Sequence, residues 1–180
     1  MTKLLPPREL ATSRTRLRPV AVGDADAVFE YASNLAVTRY MDWPRLTSIE
    51  QAADFVLRCE RAWADGTAYP WAIVAKDGNR FVGVIELRLN PPTADFGYVL
   101  AERFWGRGIA SEAAGAVVDW VWARSEVKRI WATCHPDNVA SARVLTKIGL
   151  VFEARLEGVA LRPQLGKGLW PKLLFSKVRV

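Results

Sequence analysis

A glycine-spaced loop that leads directly into a helix is the feature that most constrains this chain. The loop reads Arg103-Phe104-Trp105-Gly106-Arg107-Gly108, and an apolar helical pattern begins at Ile109. Gly106 and Gly108 have no β-carbon, so the backbone can turn through positive φ and bring several N–H groups close to one anion. The unpaired amides and the dipole at the start of the helix add to that attraction. The pattern predicts a diphosphate site, although an ordinary tight strand-to-helix turn has a similar composition.

The residues on either side of the loop favour the anion site over an ordinary turn. The run 95–100 has a strand-like composition, and Gly97 within it indicates a bulge or a close backbone approach. After the loop, apolar residues recur at helical spacing and predict a buried helix face. These residues are Ile109, Ala113, Ala116, Val117 and Trp120.

The length and composition are those of one globular domain. The chain has 180 residues, of which 51% are hydrophobic, enough for a substantial core. We expect a single domain over residues 1–180, with its core between about 14 and 178. The first residues lack the apolar core of a signal peptide, and no segment approaches the length of a membrane span. We therefore expect a cytoplasmic protein with no membrane partner.

The same sequence disfavours several classes of protein. Cys59 and Cys134 lie in separate predicted elements, unlike a disulfide framework or a zinc site, so no metal is expected. His135 is the only histidine, and no G-x-S-x-G elbow accompanies it, which argues against a Ser-His-Asp hydrolase. The net charge is +6, but Lys and Arg are scattered. Attraction to an acidic cofactor or acidic peptide explains this charge as well as nucleic acid does, and direct nucleic-acid binding is not expected.

The strand pattern is that of an α+β domain with antiparallel strands in its middle. Strands are predicted at 14–20, 69–76, 80–90, 95–100, 128–134, 152–161 and 169–178. Asp77-Gly78-Asn79 predicts a hairpin turn, and Pro91-Pro92 ends the strand that follows it.

Helix signals fill the remaining segments. Asp24 is expected to cap a first helix. Ser48 and Gln51 predict a capping box for a second helix, with a loop over 34–46 between the two. A third helix follows Gly108, and a fourth is expected to follow Asn138.

A second motif lies after the strand that ends at Cys134. It runs from His135-Pro136-Asp137-Asn138 through Ser141 to Lys147-Ile148-Gly149-Leu150. The glycine loop with its helix and this second segment together resemble the GCN5-related N-acetyltransferases (GNAT), whose members carry R-x-x-G-x-G and P-x-N-x-x-S motifs and a helix ending in K-x-G-F. The opening Thr15-Arg16-Leu17-Arg18-Pro19 is similar to the first strand of the ribosomal-protein alanine N-acetyltransferase (RimJ/RimL-like) branch.

The resemblance implies a GNAT acyl-coenzyme A transferase fold, with a mixed, mostly antiparallel sheet flanked by helices on both faces, and acetyl-coenzyme A (acetyl-CoA) as the donor. The strand 96–100 would hold the pantetheine arm, the loop would hold the diphosphate, and Asn138 would both bind pantetheine and cap its helix. Arg107 has the alternative of being a solvated surface residue. The predicted cofactor-binding residues are Tyr98, Val99, Leu100, Arg103, Phe104, Trp105, Gly106, Arg107, Gly108, Ile109, Ala110, Ser111, Asn138, Ser141 and Arg143.

The resemblance leaves the proton-transfer groups open. Many relatives carry a tyrosine acid seven positions after the asparagine, where this chain has Leu145. Ser141 is the predicted acid, directly or through water, and Cys134 is either near the cofactor sulfur or a buried structural thiol. Glu86 and Asp95 are the candidate bases, yet an α-amine with a pKa of about 8 needs no dedicated base.

The acceptor is predicted to be a primary amine. The branch resemblance implies the N-terminal α-amine of a ribosomal protein or other peptide, and Trp43 lies in a loop, 40–44, that resembles a substrate-side loop. Ala154, Leu150 and Trp170-Pro171-Lys172 depart from the family pattern on the substrate side. A small-molecule or antibiotic acetyltransferase, a non-catalytic acyl-CoA sensor, and a structural domain that binds nothing are the alternatives. The assembly is expected to be a monomer or a homodimer.

Overall fold

The structure is a computed structural model that describes residues 4–179. Residues 1–3 and 180, which the predicted domain includes, lie outside the described residues. One sheet of eight strands runs through the described part, in the order β1-β2-β3-β4-β5-β6-β8-β7. The strands are β1 Leu10–Ala11, β2 Thr15–Pro19, β3 Tyr69–Ala75, β4 Arg80–Asn90, β5 Thr93–Leu100, β6 Arg129–Cys134, β7 Val151–Leu161 and β8 Leu169–Val178.

Neighbouring strands are antiparallel except for β5 and β6, which are parallel. The predicted α+β class with a mixed, mostly antiparallel sheet is therefore confirmed. A parallel pair needs a long crossover, and here residues 101–128, which contain the glycine loop and the helix after it, make that connection.

Five α-helices within residues 4–179 accompany the sheet. They are α1 Ala25–Ala32, α2 Leu35–Thr38, α3 Ile49–Asp65, α4 Ile109–Trp122 and α5 Val139–Lys147. The prediction of a plain loop over 34–46 is wrong over its first residues, because the Asn34 side chain accepts hydrogen bonds from the amides of Ala36 (2.8 Å) and Val37 (3.4 Å) and starts the short α2. None of the helices in residues 4–179 combines the length and apolar character needed to cross a bilayer.

Two predicted helix caps are not formed. The Asp24 carboxylate accepts two hydrogen bonds of 2.7 Å from Arg18 instead of capping α1. Gln51 accepts a 2.8 Å hydrogen bond from the Thr47 amide, so the capping box with Ser48 is absent. The Asp24 correction has a physical reason, since a bidentate bond to a guanidinium is stronger than a bond to a neutral amide.

The core lies around β3, whose seven residues are all buried. Trp71 is completely buried on this strand, and its indole N–H donates to the Arg8 carbonyl at 3.1 Å. On the next strand, a β-carbon on Gly83 would lie 2.1 Å from the Val99 carbonyl oxygen. Gly83 therefore allows β4 to approach the end of β5 more closely than any other residue could.

The sheet splits between β5 and β6. These strands are paired only at Thr93–Arg129, Ala94–Ile130 and Asp95–Trp131. Beyond them, residues 96–100 pair only with β4, and residues 132–134 pair only with β8. Each strand therefore presents unpaired backbone N–H and C=O groups to the space between them.

Candidate active site

The glycine loop forms an open helix start at one end of the split. Gly106 (φ 72°) and Gly108 (φ 73°) are both in the left-handed region. No side chain caps α4, and its first backbone bond runs from the Glu112 amide to the Gly108 carbonyl at 3.1 Å. The amides of residues 109–111 consequently have no partner in the helix. This loop fits a diphosphate, because it offers several free donors, a helix dipole and no β-carbon at either glycine.

The set of free amides is smaller than the sequence predicts. The Phe104 amide donates to Ala101 at 2.9 Å and the Trp105 amide donates to Glu102 at 3.0 Å, so both are used inside a turn. The Trp105 indole N–H donates to the Leu100 carbonyl at 2.9 Å and ties the loop to β5. The available donors therefore begin at Gly106.

The two loop arginines differ in their surroundings. Arg103 forms an ion pair with Glu30 on α1 and lies over the Phe104 ring, and its role at the diphosphate stays a prediction. Arg107 is exposed, and no carboxylate of residues 4–179 pairs with it. Its carbonyl accepts a 2.8 Å hydrogen bond from Arg14. The half-buried Ser111 lies in the first turn of α4.

Glu112 anchors the start of α4 to the N-terminal segment. Its carboxylate accepts hydrogen bonds from the Arg14 guanidinium (2.6 Å), the Arg14 amide (2.7 Å) and the Thr12 hydroxyl (2.5 Å). Partial burial alone would raise the pKa of Glu112, but these hydrogen bonds outweigh it and lower the pKa to about 2. Arg14 thus joins Glu112 to the loop carbonyl at Arg107, and no sequence pattern connects residues so far apart in the chain.

Tyr98 and Ser141 meet across the split, beside the end of β6. Their hydroxyl oxygens are 2.8 Å apart, and the Ser141 amide donates to the Asn138 side chain at 3.1 Å. The prediction that Asn138 caps α5 is confirmed. Burial raises the pKa of Tyr98 to about 12, which keeps its phenol protonated at neutral pH.

Cys134 lies beside this pair, at the end of β6. Burial raises the pKa of the thiol to about 11, against the smaller lowering effects of Arg162 and Ser141. At neutral pH the group is therefore a thiol and a poor nucleophile. Leu145 is almost fully buried in the core, and Arg143 is exposed on α5.

The tyrosine hydroxyl is the feature of this end that sequence reasoning missed. The sequence assigned only backbone groups to Tyr98, because a strand residue carries no sign of which helix residue it will meet. Tyr98 on β5 thus places a hydroxyl at Ser141. The position on α5 where many family members carry a tyrosine is occupied by the buried Leu145.

The two predicted bases share one guanidinium. Arg88 donates to Glu86 at 2.5 Å and to Asp95 at 2.7 Å. The structure therefore brings Glu86 and Asp95 together on one guanidinium, which occupies an oxygen atom of each carboxylate.

The loop 40–44 lies at the end of β6. Tyr40 stacks on His135, with ring centres 4.8 Å apart, and His135 is 6.0 Å from the Trp170 ring. The Trp43 carbonyl accepts a 3.0 Å hydrogen bond from Gln164, in the connection between β7 and β8. The predicted substrate-side residue Trp43 is thus near the residue that follows Cys134. Residues 4–179 contain no cluster of three or more His, Cys, Asp or Glu side chains that could hold a metal ion.

Comparison with known proteins identifies relatives over most of the chain. Residues 14–151 match the family model for the acetyltransferase (GNAT) domain. The Bacillus subtilis (strain 168) uncharacterized N-acetyltransferase YoaA is 33% identical over 150 residues, which are 82% of this chain and 85% of the relative.

Two solved structures share the fold. The microcin C7 self-immunity acetyltransferase MccE, in complex with acetyl-CoA and AMP, matches with a TM-score of 0.85 at 20% identity, over 97% of this chain and 98% of that one. RimL, a ribosomal L7/L12 α-N-protein acetyltransferase in complex with coenzyme A bound as a cysteine disulfide, matches with a TM-score of 0.82 at 22% identity, over 94% and 96%.

Proposed function

Because this chain belongs to the GNAT acetyltransferase family and is an N-acetyltransferase with acetyl-CoA as donor, we propose that it acetylates the N-terminal α-amine of a protein or peptide, with ribosomal proteins as the leading class. The split between β5 and β6, with the glycine loop after β5 and Ser141 on the helix after β6, carries this proposal. It supplies a path from a diphosphate site to a group that can donate a proton.

The split can orient the donor by backbone contacts alone. Unpaired N–H and C=O groups of residues 96–100 would bind the pantetheine arm, and the amides of residues 106–111 would bind the diphosphate. Acetyl-CoA, when bound, supplies the activated acyl carbonyl and the sulfur leaving group. Positioning the amine against that carbonyl accounts for much of the rate in such a site.

Ser141 is the proposed proton donor to the departing sulfur. Its hydroxyl is hydrogen-bonded to Tyr98, and that phenol can replace the proton that Ser141 gives up. Cys134 lies near the same position, which agrees with the RimL structure, where a cysteine of that protein forms a disulfide with coenzyme A. We assign Cys134 to the wall of the sulfur site, because its raised thiol pKa makes an acetylated cysteine unfavourable.

We infer that the acceptor amine loses its proton without the help of a dedicated base from the protein. Glu86 and Asp95 are occupied by Arg88. An N-terminal α-amine has a pKa near 8, so a useful fraction is neutral at physiological pH, whereas a lysine side chain is almost fully charged there. This difference supports an α-amine acceptor over a lysine side chain.

A small-molecule amine is the second candidate acceptor. The MccE structure, which is in complex with AMP as well as acetyl-CoA, supports this alternative. So does the aromatic group of Tyr40, His135 and Trp170, since stacked rings can hold a planar ligand.

The deciding experiment is release of free thiol from acetyl-CoA with a panel of N-terminal peptides and small amines. Turnover with peptides at a kcat/KM well above that for every small amine supports the proposal. Turnover with small amines alone contradicts it and selects the second candidate.

A further inference from the structure

A cluster of buried polar atoms without partners lies beside the proposed transfer centre. Within residues 4–179, the fully buried side-chain nitrogen and oxygen atoms that lack a hydrogen bond are His135 Nε2, Arg162 Nε, Gln164 Oε1 and Trp170 Nε1. All four belong to the end of β6, the connection between β7 and β8, or the start of β8. Leaving a buried polar atom unpaired is destabilising, because the atom has lost its hydrogen bonds to water without gaining a partner in the protein. Four in one place indicate a site for a polar ligand.

The cluster consists mainly of hydrogen-bond donors. The Asp137 amide donates to His135 Nδ1 at 3.1 Å, which assigns the proton of the neutral ring to Nε2. Burial lowers the pKa of His135, so the ring is neutral at physiological pH. The Trp170 indole and the Arg162 guanidinium are donors as well. Three donors, one of them charged, match an anion.

Arg162 is a buried cation without an anionic partner. The residue is 5% exposed, and the one hydrogen bond of its side chain in the described part of the chain is a long contact of 3.4 Å to the Leu161 carbonyl. No carboxylate of residues 4–179 lies within ion-pair distance of it. Burial lowers the pKa of Arg162, and the exposed Asp42 offsets this only in part. An unpaired buried charge strongly destabilises the folded protein, so an anion bound to Arg162 would stabilise it.

The cluster is next to the acyl-transfer position. His135 follows Cys134 directly in the chain. Burial has the largest effect on the pKa of each residue, and the nearby charge of Arg162 lowers both pKa values. An anion held here would therefore lie on the same side of the split as the proposed transfer position, close to the first residues of a bound peptide.

We propose that Arg162, with the N–H groups of His135 and Trp170, binds a carboxylate of the acceptor, and that the acceptor is a peptide with an acidic residue close to its N-terminus. Gln164 Oε1 would accept a backbone N–H of that peptide. This inference rests on the proposed function, because it names the class of peptide that the same site accepts.

Matched peptides test the proposal. Two peptides differing only by Glu or Gln at the second residue are compared by kcat/KM, using the wild type, Arg162→Gln and the control Arg58→Gln. Arg58 is exposed on α3, so the control makes the same change of charge away from the cluster. We expect the wild type and the control to prefer the Glu peptide at least about tenfold, and Arg162→Gln to lose the preference.

Two further measurements separate a binding role from a structural one. Arg162→Met should raise the melting temperature of the acceptor-free protein, because it removes an unpaired buried charge. A lower melting temperature, or a Glu preference that survives Arg162→Gln, overturns the proposal. Affinity of both peptides for the coenzyme A-loaded protein, measured by calorimetry, gives a second readout, and equal affinities also overturn it.

The outcomes also separate this inference from the proposed function. Peptides acetylated without preference for Glu leave the function standing and overturn the carboxylate site. If only small amines are acetylated, and an amino acid is preferred to its carboxamide in an Arg162-dependent way, the peptide function fails and the carboxylate site stands.

Discussion

The Tyr98 hydroxyl lies 2.8 Å from the Ser141 hydroxyl and links β5 to α5 where the two halves of the sheet separate. Neither residue alone would be as good a proton donor as the pair. A serine hydroxyl is a very weak acid, and the Tyr98 phenol, with its pKa raised to about 12, is a stable proton store at neutral pH. We assign the pair to one task, delivery of a proton to the departing sulfur.

Replacing Ser141 should separate turnover from cofactor binding. We expect Ser141→Ala to lower kcat by about 10² with little change in acetyl-CoA affinity, since proton transfer contributes about 10²–10⁴ in such reactions. Tyr98→Phe should lower kcat less, and the double variant should be no slower than Ser141→Ala. Steady-state thiol release and cofactor titration measure both quantities. Ser125→Ala, at an exposed position, is the control. If the losses in kcat of the two single variants add up in the double variant, Tyr98 and Ser141 do not pass a proton from one to the other.

Cys134 should not carry the acetyl group. With a thiol pKa of about 11, the reactive thiolate is scarce at neutral pH. We expect Cys134→Ala to retain kcat within about threefold. Mass spectrometry of protein mixed with acetyl-CoA should show no acetylated cysteine. A stoichiometric acetyl adduct at Cys134 would replace direct transfer by a covalent route.

The glycine loop can be tested with a matched glycine elsewhere. At Gly108 (φ +73°) an added β-carbon would lie 3.4 Å from an Arg14 nitrogen, and at Gly78 (φ +70°) it would lie 3.4 Å from an Arg80 nitrogen. Alanine at either position therefore brings similar backbone strain, of about 1 kcal/mol. We expect Gly108→Ala to weaken acetyl-CoA binding about tenfold or more, and Gly78→Ala to leave it unchanged. Equal affinities in calorimetry would remove the diphosphate from this loop.

Glu112 should make the free energy of unfolding depend on pH in the acidic range. Its pKa is about 2 in the folded protein against an ordinary value of 4.5, so its contribution is complete above the unfolded value and disappears as the pH falls through the folded one. After allowance for solvent screening, we expect Glu112→Gln to lower the unfolding free energy by about 2 kcal/mol at neutral pH. The wild type and the variant should converge between pH 4.5 and about 2. Urea unfolding at several pH values measures this free energy, with Asp77→Asn at an exposed position as the control. A difference between the wild type and Glu112→Gln that does not change with pH would refute an ionic origin of the stabilisation.

Glu86 should be dispensable as a base. Because its carboxylate is paired with Arg88, we expect Glu86→Gln to change kcat by less than about threefold and to leave the pH dependence of kcat/KM in place. A pH–rate profile with a peptide acceptor checks this. Loss of the acidic limb of that profile in Glu86→Gln would restore Glu86 as the base.

Local features of the structure were predictable from the sequence because their causes lie within a few residues. The strand Leu169–Val178 and the turn at Asp77–Asn79 occur as predicted, since β-rich composition and turn residues act locally. The Asn138 cap reaches only as far as the Ser141 amide. The short helix α2 was missed because a four-residue helix is too short for a periodic pattern.

The partners of charged and polar side chains were decided by the tertiary structure. Asp24 follows the local rule for a helix cap, yet its carboxylate pairs with Arg18, which the fold brings near. Arg103 of the glycine loop likewise has a partner from another element, Glu30. Glu86 and Asp95 were predicted as candidate bases, and the register of β4 against β5 places Arg88 between them.

The sequence by itself determined most of the elements and the glycine loop, because periodicity, turn residues and glycine conformations depend on neighbours in the chain. Only the tertiary structure decided the chemistry at the transfer position. Tyr98 and Ser141 are 43 residues apart, and the buried cluster around Arg162 joins segments from the end of β6 and the β7–β8 connection. Contacts between distant segments depend on sheet register and on which groups are withdrawn from water, and neither is written in any local pattern.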